Sequence, residues 1–309
     1  MASAGTEDRK APPSRHLSPQ ARPRWLIPLV AAMLLAVSVA VAVLLTRTDS
    51  SPAPAAALPD TPDYHSLLVA PDDPNALTLG THEGLFRSSD GGETWTKAEL
   101  DGQDAMSLAR PSPRTLWAAG HDVLARSLDG GASWQDVRPS GLPGLDVHGL
   151  AVDPNDPDRL YAAIAGQGLY RSNDAGASFA LVSTAVGPGV MALAVMPDGR
   201  LLAGDMQRRA LAASDDGGEN WRAVIEASVA GLAVNPSRAE LVLASGPGVL
   251  RSTDGARTWK RTLALEAGSG PIAWSTSDPG IAYVVGFDRS LWRSVDAGAT
   301  WAAVVSVAT

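Results

Sequence analysis

"RSLDGGASW" (Arg126–Trp134) joins two apolar runs through a small, acidic, glycine-rich turn, and the chain writes it repeatedly. "RSSDGGETW" stands at Arg87–Trp95 and "RSNDAGASF" at Arg171–Phe179. Aligned on the serine, the motif recurs at Ser88, Ser127, Ser172, Ser214, Ser252 and Ser294, with spacings of 39, 45, 42, 38 and 42 residues. A period near forty signals a repeat architecture. The third unit shows the internal order. "HGLAV" (His148–Val152) is a short apolar run, "DPNDPD" a turn, "RLYAAIA" (Arg159–Ala165) a second run, "GQG" a tight turn, "LYRS" a third run, "NDAGAS" the repeated turn and "FALVS" a fourth run. Four short strands per unit, six times, with no helical period between them, predict an all-β fold. The expected architecture is a six-bladed β-propeller with four-stranded blades over residues 64–309.

The turn has the form Ser-x-Asp-x-Gly-x-Thr/Ser-Trp. The aspartate accepts hydrogen bonds from nearby backbone N–H groups, as in Asx turns. The fifth residue takes a backbone angle that favours glycine. The closing aromatic returns to the sheet and packs between blades. Asp90, Asp129, Asp174, Asp216, Asp254 and Asp296 therefore read as structural turn residues. The aromatics are Trp95, Trp134, Phe179, Trp221, Trp259 and Trp301. In the fifth unit Ala256 replaces the glycine, and a less regular turn is expected there.

Outside the repeats, Trp25–Leu45 is a 21-residue run without a charge. As a helix it would span about 30 Å, the thickness of a bilayer core. Five of the 25 basic residues but only two of the 33 acidic ones lie in residues 1–24, ahead of this run. A basic flank before the span places the start of the chain in the cytoplasm and the remainder outside it. The reading adopted is a basic tail (1–24), an N-terminal transmembrane helix (25–45), a Pro/Ala-rich linker (46–63) and the propeller (64–309) at the outer side of the cell membrane. A cleaved signal peptide, with Ala53–Ala57 as the cleavage zone, is the alternative. The body that follows is acidic, which excludes nucleic acid as a partner. The absence of cysteine excludes disulfides, thiolate zinc sites and thiol nucleophiles.

The repeated turn resembles the Asp-box, or bacterial neuraminidase repeat, found in sialidases, sortilin-like receptors, some endoglucanases and photosystem II assembly factors. "THEGLFRS" (Thr81–Ser88) and "HGLAVDP" (His148–Pro154) are similar to segments of bacterial membrane-anchored proteins catalogued as glycosylhydrolases. The resemblance implies the propeller fold, and fold alone does not assign an activity. The sialidase set that the resemblance would imply includes an Arg-Ile-Pro segment, which this sequence lacks. Its four tyrosines, Tyr64, Tyr161, Tyr170 and Tyr283, include three at sheet-packing positions. Arg87, Arg126, Arg171, Arg251 and Arg293 recur before the box serine and read as blade-stacking elements. Glu83, Asp122, Asp146, Asp205 and Asp288 lie in loops of the opposite face, where a carboxylate pair for glycoside hydrolysis would have to be sought.

That opposite face also gathers histidine and methionine. Strand alternation brings the loop before each first strand and the turn between the second and third strands to one mouth of the channel. His65, Met106, His148 and Met191 fall in the first column, and His82, His121 and Met206 in the second. Imidazole with thioether suits copper, especially the reduced ion, and the histidines alone suit zinc. Packing is the alternative reading. The expectation is a monomeric propeller acting as a non-catalytic recognition module for a protein, glycan or metal ligand at this mouth. A divergent exo-acting glycoside hydrolase and an accessory or assembly factor for a membrane complex are the alternatives.

Overall fold

The computed structural model describes residues 57–306. The expected cytoplasmic tail, membrane helix and most of the linker lie outside the described residues. Among the described residues no helix is long and apolar enough to cross a membrane.

Six four-stranded antiparallel sheets follow one another along the chain. The first blade runs β1 (Ser66–Val69), β2 (Leu77–Thr81), β3 (Gly84–Ser88) and β4 (Thr96–Lys97). The second has β5 (Ser107–Ala109), β6 (Leu116–Gly120), β7 (Val123–Ser127) and β8 (Gln135–Asp136). The third has β9 (Val147–Asp153), β10 (Asp156–Ile164), β11 (Gly168–Ser172) and β12 (Ala180–Ser183). The fourth has β13 (Val190–Val195), β14 (Leu201–Asp205), β15 (Ala210–Ser214) and β16 (Arg222–Ile225). The fifth has β17 (Gly231–Val234), β18 (Val242–Gly246), β19 (Gly248–Ser252) and β20 (Lys260–Leu263). The sixth has β21 (Ser269–Trp274), β22 (Ala282–Gly286), β23 (Leu291–Ser294) and β24 (Ala302–Val305).

The second strand of each blade explains the stacking. "LWAAG", "LLAGD", "VLASG" and "AYVVG" are buried at every position. A strand packed on both faces by neighbouring blades loses the apolar–polar alternation of a half-solvated sheet. The short fourth strands, at the rim, are largely exposed. The first strands neighbour one another around a closed ring, β1 against β21 included. Serines tie this inner ring across blades. Ser66 Oγ donates to Ala105 O at 2.7 Å, Ser107 Oγ accepts from Leu150 N at 3.0 Å, and Ser245 Oγ donates to Gly270 O.

Each blade is contiguous in sequence, so no shared sheet closes the ring. Side chains close it. Leu67, Leu77 and Leu79 of the first blade share one buried cluster with Ile281, Tyr283 and Leu291 of the sixth. Tyr283 Oη donates to Pro74 O at 3.0 Å across the joint. Residues 57–63, expected as the end of the tether, take part in this closure. Leu58 is buried, Tyr64 Oη donates to Pro59 O at 2.6 Å, and Arg289 Nη2 donates to Thr61 O at 3.1 Å.

The six box turns share one hydrogen-bond pattern. In the second box Ser127 Oγ donates to Asp129 Oδ1 at 2.8 Å and accepts from Gly131 N at 2.8 Å. Asp129 Oδ1 accepts from Ser133 N at 2.9 Å, and Oδ2 from Ser133 Oγ at 2.5 Å. Two consecutive residues, not one, adopt left-handed angles. Gly130 (φ 82°) and Gly131 (φ 96°) do so in the second box, and Ala175 (φ 54°) and Gly176 (φ 78°) in the third. The fifth box is as regular as the others at the backbone. Ala256 takes φ 63° and its N–H donates to Ser252 Oγ at 2.9 Å. The difference falls on the aromatic: the buried Trp259 Nε1 has no hydrogen-bond partner, whereas Trp134 Nε1 donates to Gly131 O at 3.1 Å.

The arginine column stacks blades as its repetition implies. Arg87 Nη2 donates to Gly131 O at 2.6 Å and Arg251 Nε to Ala297 O at 2.7 Å, each reaching the next blade's box. The fourth blade has Ala213 in that column, and Arg200 supplies the contact from another position, donating to Gly255 O at 2.5 Å.

Candidate functional site

Antiparallel order sends the box turns to one face. The loops before the first strands and the turns between second and third strands go to the other. Two-residue turns follow β2 and β6, and they present His82 and His121. His65 immediately precedes β1, and His148 lies on β9. The structure brings all four imidazoles into one arc over the first three blades. Successive ring centroids are 4.3, 5.6 and 5.4 Å apart, in the order His65, His82, His121, His148.

Three aspartates alternate with them. Asp63 Oδ2 accepts from His82 Nδ1 at 2.6 Å, and Asp63 Oδ1 lies 3.1 Å from His65 Nε2. Asp104 Oδ2 accepts from His121 Nδ1 at 2.5 Å and from the His121 backbone N at 3.1 Å. Asp146 Oδ1 lies 3.0 Å from His148 Nε2 and 3.5 Å from His121 Nε2. Asp63 and Asp104 were not singled out from the sequence, although a signal was present. Each stands two residues before a column residue, in Asp63-x-His65, Asp104-x-Met106 and Asp146-x-His148. Burial pushes His65 below the ordinary imidazole range, against the opposing pull of Asp63.

The methionines divide. Met106 and Met191 line the wall of the central channel with His65, around a cavity of about 80 Å³. Met106 is buried and Met191 half-buried. Met206 does not join them. It follows β14 in a four-residue turn and lines a groove on the other half of the same face. This groove, of about 690 Å³, is bounded by Met206, Arg209, Glu226, Trp259, Arg261 and Phe287 of blades four to six. Phe287 at its edge is 48% exposed. The mouth face is thus split, imidazole and carboxylate over blades one to three, and a groove of mixed apolar and charged lining over blades four to six.

Two of the loop acids have local partners. Asp205 is buried, and its Oδ1 accepts from Arg208 N at 2.9 Å. Asp288 Oδ1 accepts from Ser290 N at 3.1 Å. On the far face, hydrogen bonds hold the box carboxyls down. Thr94 and Thr300 hold Asp90 and Asp296 to about 2, and Ser178 and Asn220 do the same for Asp174 and Asp216. Asp129 and Asp254 lie lower still, through Ser133 and Thr258.

Solved structures similar in fold include a GH74 xyloglucanase from Xanthomonas campestris, 19% identical with a TM-score of 0.59. The match covers 82% of this chain and 47% of that one, so the chain spans about half the length of the xyloglucanase. YCF48 with a bound D1 peptide is 18% identical with a TM-score of 0.51, over 82% of this chain and 83% of the other. YCF48 from Cyanidioschyzon merolae is 16% identical at the same TM-score, over 82% and 86%. At these identities the likeness shows the propeller fold alone. No curated protein matches the chain. Residues 65–309 match the family described as Photosynthesis system II assembly factor YCF48, from His65 at the mouth through the last blade, and the chain belongs to that family.

Proposed function

We propose that this protein is an assembly factor that binds a peptide segment of a membrane-protein complex through the mouth face of its propeller. Trp25–Leu45 would hold it at the membrane with the propeller outside the cytoplasm. The family match across all six blades carries this reading. A YCF48 structure with a D1 peptide bound supports a protein partner. So does the shape of the face. The channel cavity, at about 80 Å³, falls well below the roughly 300 Å³ at which pockets that enclose a small organic ligand begin. The groove of about 690 Å³ over blades four to six accommodates several side chains of an extended peptide. Its exposed Phe287 is the kind of aromatic anchor that dominates protein recognition. The reading is non-catalytic.

The test is co-purification of the full-length protein with subunits of a membrane complex. Phe287→Asp should reduce recovery of the partner at least tenfold. Val295→Asp, 67% exposed in a box turn on the opposite face, should leave it unchanged. Equal loss in both variants, or release of sugar from xyloglucan by the purified protein, would overturn the proposal.

A further inference from the structure

The histidine–aspartate arc is not used by the docking groove, and its three clusters are not equivalent. Each groups two imidazoles with one carboxylate: Asp63, His65 and His82; His82, Asp104 and His121; His121, Asp146 and His148. Within each, one donor atom per residue lies within 4.8 Å of the others. In the first, His82 Nδ1 is engaged by Asp63 and lies 3.2 Å from His65 Nε2. In the second, Asp104 Oδ2 already accepts two hydrogen bonds from His121. Oδ1 of Asp63 and of Asp104 is buried without a partner, but no imidazole of these two clusters is left in that state.

The third cluster differs. Asp146 Oδ1 and both ring nitrogens of His148 are buried and make no hydrogen bond. His148 Nε2 and Asp146 Oδ1 are nonetheless 3.0 Å apart. The pair is close enough for an ion pair but is not aligned as a hydrogen bond, so both atoms keep a lone pair that a cation between them could bind. The third donor is already prepared. His121 Nδ1 donates to Asp104, so in the neutral ring Nε2 carries the free lone pair, and it lies 3.5 Å from Asp146 Oδ1. Four donors around a zinc ion at about 2.0–2.2 Å stand roughly 3.3–3.6 Å from each other, and the two nitrogen–oxygen distances here are 3.0 and 3.5 Å.

We propose that His121 Nε2, Asp146 Oδ1 and His148 Nε2 bind one zinc ion, with the fourth position open. Asp104 is a positioning residue that fixes the His121 tautomer and ring, as carboxylates behind zinc-bound imidazoles commonly do. The donor set is nitrogen and oxygen, which suits a divalent ion of zinc type rather than reduced copper. The site joins blade two to blade three at the mouth, since His121 follows β6 and His148 lies on β9.

The experiment uses full-length, tag-free protein equilibrated with micromolar zinc, with metal content read after dialysis. Cobalt(II) absorption serves as the coordination probe. One zinc per chain is expected, with the intense cobalt bands of a four- or five-coordinate site. His148→Ala and the near-isosteric Asp146→Asn should each lose the ion, with matching circular dichroism of the metal-free proteins confirming that both fold. Asp104→Asn should weaken binding about 10- to 100-fold and shift the cobalt bands. His65→Ala should keep the ion. No uptake by the unmodified protein overturns the proposal. So does loss of the ion in His65→Ala with retention in His148→Ala.

Discussion

Replacing Ser127 with alanine tests the reading of the box turn as architecture. Ser127 is 1% exposed. Its hydroxyl accepts from the buried Gly131 N–H at 2.8 Å and donates to Asp129 Oδ1 at 2.8 Å. Alanine fits the space but leaves the Gly131 N–H buried and unpaired. That desolvation costs about 1–3 kcal/mol. Asp129 keeps Ser133 N and Oγ and stays anchored. Unfolding entropy near 2.1 cal/mol/K per residue gives about 0.5 kcal/mol/K for a propeller of some 250 residues, so the melting temperature should fall by ~2–6 °C. Differential scanning calorimetry reads this directly. Ser133→Ala, which removes an exposed hydroxyl from the same turn, should stay within about 0.5 kcal/mol of the parent. Zinc uptake and partner recovery should not change, because the turn is on the face opposite the mouth. A melting temperature unchanged in Ser127→Ala, or zinc lost at normal stability, would refute the argument.

Acid should destabilise the propeller through the same turns. The folded box carboxyls titrate near or below about 2, whereas unfolded aspartates take up protons near 3.9. Their contribution is therefore complete above about pH 4 and is lost as pH falls toward 2. Urea midpoints measured from pH 6 to 2.5 should fall over that window, with a flatter profile in Asp90→Asn. Two neighbours in the third box should respond in opposite directions. Ala175, half-buried at φ 54°, should gain roughly 0.5–1 kcal/mol as glycine, since relief of left-handed strain exceeds the added chain entropy. Gly176→Ala should cost roughly 2–4 kcal/mol, because its Cβ would sit 2.6 Å from the Trp117 ring at φ 78°. Thermal melts of both variants check the pair.

The fold was legible because its determinants are local. Every donor and acceptor of a box lies within seven residues, so Ser, Asp and Gly at fixed offsets announce the turn. The requirement for a second left-handed residue was not legible, since alanine fills that place in Ala175 and Ala297 as readily as glycine elsewhere. Columns in the alignment located the histidines, but a column fixes only where a residue enters a blade. Turn length decides where its side chain goes. Two-residue turns hold His82 and His121 at the mouth, and the four-residue turn at 206–209 delivers Met206 to the groove instead. Asp63 and Asp104 escaped notice because their partners are on other strands or the neighbouring blade, contacts that exist only once the ring has closed.

The six repeats also indicate where function must reside. A feature present in every blade serves what every blade needs: a turn, a stacking arginine, a buried second strand. Recognition of one partner on a ring of near-identical units requires that the units differ. The differences here are concentrated on the mouth face and are divided by half. Asp-x-His or Asp-x-Met opens blades one to three, while Gly189, Ser228 and Gly270 replace the aspartate in blades four to six. Where this Asp-x-His/Met pattern stops, the groove with Met206 and Phe287 begins. A rigid ring thus carries a histidine–aspartate half and a grooved half side by side, held in fixed register by the inner serine hydrogen bonds and the interblade arginines. A peptide seated in the groove would lie on the same face as the zinc donors without competing for them. Phe287→Asp and His148→Ala should therefore impair partner recovery and metal uptake separately, each leaving the other intact.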